Sequence, residues 1–242
     1  MTKPTIDELV TAGVHFGHRS SRWNPKMKPF IFTTRNKIHV INLEKTLAKL
    51  DEALVYVKDL VGRGETLLFI GTKRQAKSIV KAAALRCGMP YVTVRWLGGT
   101  FTNHKTIQKT IRKLEQLHKT KENKDFELKY TKKERLTIER EMAKLENLFE
   151  GIKTMKRIPE AIFVVDVNHE KIAVTESRIS GVKVVGLVDT NIDPDKVDYV
   201  VPANDDAIKS INLITNLVAD AVNEGKKSRP ADAEGRGAER NK

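Results

Sequence analysis

The chain has 242 residues, a hydrophobic fraction of 40% and a formal net charge of +13 at pH 7. These values suit one α/β domain with an insertion or two small domains, and they exclude wholesale disorder. No apolar run is long enough to cross a membrane. The single cysteine, Cys87, excludes a disulfide framework and a multi-cysteine zinc site. The first residues lack a signal-peptide apolar stretch, so we expect a cytosolic protein.

The positive charge is concentrated in the first two-thirds of the chain. Residues 1–157 contain 33 basic and 16 acidic side chains, whereas residues 158–222 contain 5 basic and 11 acidic ones. Lys and Arg bind phosphates with release of counterions, so the first part is the predicted surface for a polyanionic partner. The alternative is a solvated surface that only keeps the protein soluble.

The first elements are a short helix, a loop and a hairpin. Thr5 and Glu8 form a capping box that starts a helix ending near Gly13. Residues 14–30 contain one glycine and two prolines and few periodic apolar positions, which predicts a long ordered loop. Residues 31–41 predict a hairpin that turns at Arg35-Asn36.

Strands and helices then alternate along the chain. The predicted strands are residues 66–70, 91–94, 161–165, 184–188 and 199–201. The predicted helices are residues 43–61, 73–87, about 170–179 and about 206–222. Continuous apolar strands are typical of a sheet buried on both faces. The pattern therefore predicts a mostly parallel sheet with helices on both faces.

An insertion at residues 103–157 interrupts this alternation. Apolar residues, with His118 at one position, recur there at steps of 3 and 4, as in coiled-coil seams: Ile107, Ile111, Leu114, His118, then Ile138, Met142, Leu145, Phe149 and Ile152. We expect an antiparallel coiled-coil hairpin that projects from the sheet; the alternative is two amphipathic helices packed on the sheet. The predicted domains are residues 1–42, the α/β domain at 43–102 and 158–222, the hairpin at 103–157, and a disordered tail at 223–242.

The sequence contains no convincing catalytic site. Gly71-Thr72-Lys73 follows a strand and could bind a phosphate, but it lacks the glycine pattern of a P-loop, so a packing turn is the alternative. The runner-up function is nevertheless a nucleotide-dependent enzyme that uses the carboxyl edge of the sheet. We expect no cofactor or small-molecule substrate. If Zn²⁺ or Mg²⁺ binds, the candidate ligands are His169, Asp189 and Asp205, although Asp also caps helices.

Basic and aromatic side chains are interleaved in two stretches, around residues 19–37 and 95–105. Arg pairs with phosphates and aromatic rings stack on unpaired bases, so these stretches predict RNA contacts. The alternative for Trp23 and Trp96 is a role as core anchors. A coiled-coil scaffold that binds only proteins is a further alternative for the whole chain.

Several long blocks resemble the family of bacterial small-subunit ribosomal protein two. They are Thr11–His18 (TAGVHFGH), Trp23–Met27 (WNPKM), Phe69–Ala76 (FIGTKRQA), Arg95–Asn103 (RWLGGTFTN), Pro159–Asp166 (PEAIFVVD), Val188–Asn191 (VDTN) and Pro202–Ile208 (PANDDAI). The resemblance covers about residues 5–223.

The resemblance implies a flavodoxin-like or Rossmann-like domain with a coiled-coil hairpin, bound in the cytoplasm to the ribosome. It implies binding to 16S-type rRNA at the junction of head and body, contact with other small-subunit proteins, and docking of the largest of them. No membrane partner is expected. The predicted rRNA contacts are Arg19, Arg22, Trp23, Lys26, Lys28, Arg35, Lys37, Lys73, Arg74, Arg95, Asn103, His104, Lys105 and Lys109.

Overall fold

The computed structural model describes residues 3–123 and 126–228. Near the N-terminus, three strands form a small antiparallel sheet: β1 (Phe16–Arg19), β2 (Ile31–Arg35) and β3 (Ile38–Ile41). Their spatial order is β1–β3–β2. The hairpin between β2 and β3 turns at Asn36-Lys37, one residue later than predicted, and both residues have positive φ angles of 51° and 63°.

The larger sheet contains the remaining five strands: β4 (Leu67–Ile70), β5 (Tyr91–Val92), β6 (Ala161–Val165), β7 (Lys183–Val188) and β8 (Tyr199–Pro202). Their order is β5–β4–β6–β7–β8, and every neighbouring pair is parallel. The predicted parallel sheet is therefore confirmed.

Eight α-helices accompany the sheets: α1 (Ile6–Thr11), α2 (Leu43–Gly62), α3 (Lys77–Cys87), α4 (His104–Glu122), α5 (Phe126–Lys129), α6 (Lys132–Phe149), α7 (Lys171–Ile179) and α8 (Ile208–Lys227), all within the described ranges. None of these helices combines the length and the apolar character needed to cross a membrane.

Alternate side chains of the central strands enter two separate cores. Leu67 and Phe69 of β4 join a cluster with α2, α3 and α8, whereas Leu68 and Ile70 join a cluster with α7 and the bases of α4 and α6. A strand buried on both faces needs apolar side chains at successive positions, which explains the continuous apolar runs.

The two long helices of the insertion contact each other. Lys113–Glu141 and Lys121–Glu139 are ion pairs between α4 and α6, and His118 Nε2 lies 2.9 Å from Glu146 Oε1. From Lys113 to Lys121 the ion-pair partner on α6 falls from 141 to 139, as expected for antiparallel helices. Ile107, Ile111 and Phe149 at the base belong to the second core. Coiled-coil geometry over the rest of the hairpin stays a prediction.

The expected loop at residues 14–30 contains a strand, and this prediction is wrong for β1. Phe16 pairs with Val40 and Arg19 with Ile38, so β1 owes its conformation to β3, which comes later in the chain. Short 3₁₀ turns, Ser20–Arg22 and Pro25–Phe30, occupy much of the remaining segment.

Two predicted helix boundaries also shift. α3 begins at Lys77 instead of residue 73, because residues 73–76 form a separate turn in which the Ala76 amide donates to the Lys73 carbonyl. α8 continues to Lys227, past the predicted start of the tail at 223, because the Lys226 ammonium bonds to the Cys87 carbonyl at 2.6 Å. Residues 229–242 of the predicted tail lie outside the described residues.

Candidate nucleic-acid interface

The N-terminal segment is fixed to the carboxyl edge of the larger sheet. The His18 amide donates to Thr190 Oγ1 at 2.9 Å, and the Asn24 amide donates to the Thr190 carbonyl at 2.8 Å. A Cβ at Gly17 would lie 2.6 Å from Thr190 Cγ2, so only glycine allows this close approach. The basic residues around β1 are therefore held in place on the sheet.

Most of the predicted contacts in this segment are exposed cations. The following side chains are exposed and have no ion-pair partner among residues 3–123 and 126–228: Arg19, Arg22, Lys28, Arg35 and Lys37. Lys26 differs, because its ammonium lies 3.1 Å from Asp193 and 2.6 Å from Asp195. The half-buried Trp23 packs against His39, with ring centroids 5.1 Å apart.

The second predicted group follows β4 and β5. Its exposed cations, likewise unpaired within the described chain, are Arg74, Arg95, Lys105 and Lys109. Asn103 precedes α4 and accepts from Thr106 Oγ1 at 2.8 Å. His104 is half-buried, with Nδ1 3.2 Å from the Thr100 carbonyl oxygen. Trp96 is buried, as the core-anchor alternative expects, and lies edge-on to Phe101.

Lys73 points inward instead of toward a partner. Its ammonium lies 2.7–2.9 Å from carboxylates of Asp166, Asp205 and Asp206, and its side chain is 14% exposed. Burial lowers the pKa of Lys73, but the three carboxylates outweigh burial and raise its pKa above the ordinary value. The structure thus sets Lys73 apart from the exposed cations of the predicted set.

The same environment disfavours phosphate binding at the turn after β4. Glu170 is buried there and accepts from the Thr72 amide at 2.8 Å, so four carboxylates surround the turn. A Cβ at Gly71 would lie 2.7 Å from Val80 Cγ2, so this glycine serves the packing of α3. The turn is therefore a packing turn, the alternative that the sequence left open.

The structure brings Asp189 and Asp205 together, but with His18 in place of the predicted His169. One ligand atom from each of these three residues lies within 4.8 Å of the others. His169 instead donates its amide to Asp166 Oδ1 at 2.9 Å. The sequence did not group His18 with these carboxylates, because it lies on β1, 171 positions before Asp189.

Asp205 is a buried carboxylate whose surroundings disfavour its ionised form. Burial and the neighbouring Asp166 and Asp189 carboxylates raise its pKa to about 7. Its Oδ2 atom has no hydrogen-bond partner in the part of the chain that is described. The hydrogen bond to Asp189 raises the pKa of His18 against the effect of burial. One imidazole and two carboxylates are donors that could hold Zn²⁺, whereas Mg²⁺ takes oxygen ligands.

The single cysteine, Cys87, ends α3 and is buried. Burial raises the pKa of the Cys87 thiol to about 11, so the thiolate is scarce at neutral pH. The carboxyl edge near β7 and β8 is covered by the chain itself, since the Asn204 amide donates to the Val14 carbonyl at 3.0 Å.

Sequence reasoning missed two buried carboxylates of the α7 region, Glu170 and Glu176. Glu170 precedes Ala173, Val174 and Ser177 at steps of 3, 4 and 7, so it belongs to the buried stripe of this helix. A charged residue on such a stripe is the signal that could have found it. Glu176 is 6% exposed and contacts the loop between β5 and α4.

Comparison with known proteins identifies one family. The model of the family described as "Ribosomal protein S2" matches residues 9–225. The chain is 49% identical to the small ribosomal subunit protein uS2 of Acidothermus cellulolyticus over 231 residues, which cover 96% of this chain and 84% of the relative.

Proposed function

Because the chain belongs to the ribosomal protein S2 family and is a structural, non-enzymatic constituent of the small ribosomal subunit, we propose that it binds 16S-type rRNA through one edge of its larger sheet. Membership of this family makes it a ribosome-bound protein of the cytoplasm that takes part in translation. The proposed rRNA surface consists of the exposed cations of the N-terminal segment and those that follow β4 and β5.

The observation that carries the proposal is the common position of these two groups. The loops with Arg74 and Arg95 follow the carboxyl ends of β4 and β5. The segment with Arg19 and Arg22 is fixed to Thr190, which follows β7. Because the carboxyl ends of parallel strands meet at one edge, the two groups lie along the same edge of the sheet. Such phosphate contacts position the protein and carry little sequence information.

The two buried carboxylates at this edge do not cancel the positive surface. Asp189 and Asp205 are buried, and their charges face His18 and Lys73 within the protein. The exposed cations, by contrast, are free to neutralise phosphates. Several short-range contacts of this kind give an affinity that falls steeply with salt.

The acidic residues 158–222 belong to the protein side of the proposal, whereas the basic hairpin of α4 and α6 belongs to the rRNA side, since residues 103–157 carry 16 basic and 9 acidic side chains. The ion pairs and seam residues support a coiled coil that continues outward from the second core. Following the family resemblance, the protein sits at the head–body junction and helps to dock the largest small-subunit protein. The excess of acidic side chains in 158–222 supports a protein partner over RNA for that region.

Charge reversal tests the rRNA surface. A variant with Arg19→Glu, Arg22→Glu and Lys28→Glu should fail to enter small subunits, because three exposed cations become anions at the proposed phosphate surface. The matched control reverses the exposed Lys156, Arg178 and Lys227, which changes the net charge equally but lies toward the opposite edge of the sheet, before β6 and at the ends of α7 and α8. Sucrose-gradient sedimentation measures incorporation. Normal incorporation of the first variant, or equal loss in both, overturns the proposed surface.

A further inference from the structure

The loop between β5 and α4 folds around a single buried carboxylate. Glu176 of α7 accepts hydrogen bonds from three backbone amides and two side chains of this loop. They are Gly99 N at 2.7 Å, Phe101 N at 3.0 Å, Thr102 N at 3.4 Å, Trp96 Nε1 at 3.3 Å and Thr102 Oγ1 at 3.4 Å. Both carboxylate oxygens are used, so the charge of Glu176 is fully satisfied although the residue is 6% exposed.

These bonds supply much of the order in the loop. Its own backbone bonds are few: the Thr100 amide donates to the Leu97 carbonyl, and the Asn103 amide donates to the Gly99 carbonyl. Gly99 has φ +89°, a conformation that other residues rarely adopt. Burial raises the pKa of the Glu176 carboxyl, but the bonds from the Phe101 and Gly99 amides outweigh burial and hold the pKa below its ordinary value. Glu176 is therefore ionised and acts as an internal anion for the loop.

The residues that flank this loop belong to the proposed rRNA surface. Arg95 precedes Trp96 directly, and Asn103, His104 and Lys105 follow Thr102 directly. The amides of Gly99, Phe101 and Thr102 already bind a carboxylate, so the loop meets phosphates with its flanking side chains and not with its backbone.

We propose that Glu176 is a positioning residue for rRNA binding, whose carboxylate holds the loop 96–102 so that Arg95 and the first turn of α4 face the phosphates. The inference rests on the proposed rRNA surface. A loop that is already ordered loses less conformational entropy on binding, so the hydrogen bonds to Glu176 increase the affinity for rRNA.

Substitution by the isosteric amide tests this role. In Glu176→Gln, one oxygen becomes an NH₂ group that faces N–H donors, so the loop loses part of its anchor. We expect roughly tenfold weaker binding to a 16S-type rRNA fragment, because the flanking side chains must be ordered on binding. The salt dependence should keep its slope, because the same cations neutralise phosphates once they are ordered. Hydrogen exchange should become faster at the amides of Gly99, Phe101 and Thr102.

A control on the same helix separates positioning from stability. Val174→Ala removes buried apolar volume from α7 and leaves the hydrogen-bond donors to Glu176 in place. It should lower the melting temperature. The dissociation constant, measured well below the melting temperatures of the wild type and the variant, should not change. A milder variant, Trp96→Phe, removes one donor to Glu176 and keeps a ring in the core. It should weaken binding about twofold to threefold, a fraction of the loss in Glu176→Gln.

The outcomes distinguish the two proposals. If the wild type binds the rRNA fragment and Glu176→Gln binds equally well or more tightly, the positioning role fails and the rRNA surface stands. If Glu176→Gln does not fold, an unchanged affinity in Trp96→Phe with faster loop exchange overturns the positioning role. If the wild type itself does not bind, both proposals fail.

Discussion

At the scale of single residues, whether a charged side chain is paired or exposed depends on which residues the fold brings next to it. Lys73 and Arg74 are neighbours in the sequence and both were predicted to contact rRNA, yet Lys73 is enclosed by carboxylates and Arg74 is exposed. Those carboxylates come from residues 166, 205 and 206, so no local pattern around Lys73 could reveal them. Arg19 and Arg22 belong to a segment whose attachment to Thr190 likewise could not be read from the local sequence. Their exposure, however, is what the polar residues beside them suggest.

Removing the Lys73 ammonium should destabilise the fold in a pH-dependent way. Lys73→Met leaves buried carboxylates without their cation, which costs about 3 kcal/mol of unfolding free energy at pH 8. The folded pKa of Asp205 is raised from 3.8 to about 7, so its proton favours the fold at low pH and this contribution is lost as the pH rises through about 7.

At pH 5, protonation of Asp205 should remove one of the negative charges that the Lys73 ammonium neutralises. The variant should therefore lose less stability at pH 5 than at pH 8. Urea unfolding of both proteins at pH 5 and pH 8 measures the difference. Arg74→Met is the control, because this neighbouring cation is exposed and should cost little at either pH. An equal loss at both pH values for Lys73→Met would contradict the assigned role of the carboxylates.

At the scale of elements, the sequence predicts what local periodicity and burial determine. The central strands were found because both of their faces are apolar, and α2 was found because its apolar residues follow a helical period. β1 was missed because its pattern contains glycine and polar residues and its partner lies on β3. Likewise, the end of α8 depends on close packing against α2, which the composition of residues 223–227 does not disclose.

The contact between α2 and α8 gives a prediction that opposes helix propensity. A Cβ at Gly225 would lie 2.5 Å from the Lys58 carbonyl oxygen and 3.0 Å from Val61 Cβ. Gly225→Ala, normally stabilising in a helix by about 1 kcal/mol, should therefore destabilise the protein by about 1–3 kcal/mol. Gly62→Ala is the control at the same contact, since its nearest atom, Ser228 Oγ, is 3.4 Å away.

Thermal or urea unfolding of the two glycine variants measures this difference. Gly62→Ala should be neutral or slightly stabilising, because the added methyl group meets only the end of a side chain. If Gly225→Ala raised the stability as much as Gly62→Ala did, the helices would have room to separate, and the close packing of α2 on α8 would be wrong.

At the scale of the whole molecule, the charge distribution sets how binding responds to salt. Nine predicted contacts are exposed cations without ion pairs in the described ranges. If all nine neutralise phosphates, the logarithm of the rRNA binding constant should fall with the logarithm of salt with a slope of about −6. The Arg19, Arg22 and Lys28 charge reversal should flatten this slope by about 2, whereas reversal of Lys156, Arg178 and Lys227 should not change it.

Filter binding across a salt series measures these slopes. A wild-type slope near zero would mean that few cations contact phosphates and would contradict the proposed surface. The overall sign asymmetry was readable from composition, since residues 158–222 carry the acidic excess. The position of both basic groups on one edge was not readable from composition, because it depends on the order of the strands and on the attachment of β1 to Thr190.

The attachment of β1 to Thr190 also has a consequence for biosynthesis. His18 and Thr190 are separated by 172 positions, so the basic segment is translated first and the residue to which it attaches much later. Until β7 emerges, the nascent chain carries its cations without the geometry that presents them, since such distant contacts form late. Emergence of Thr190, and not the mere appearance of the charges, therefore marks the moment at which the proposed rRNA surface can form.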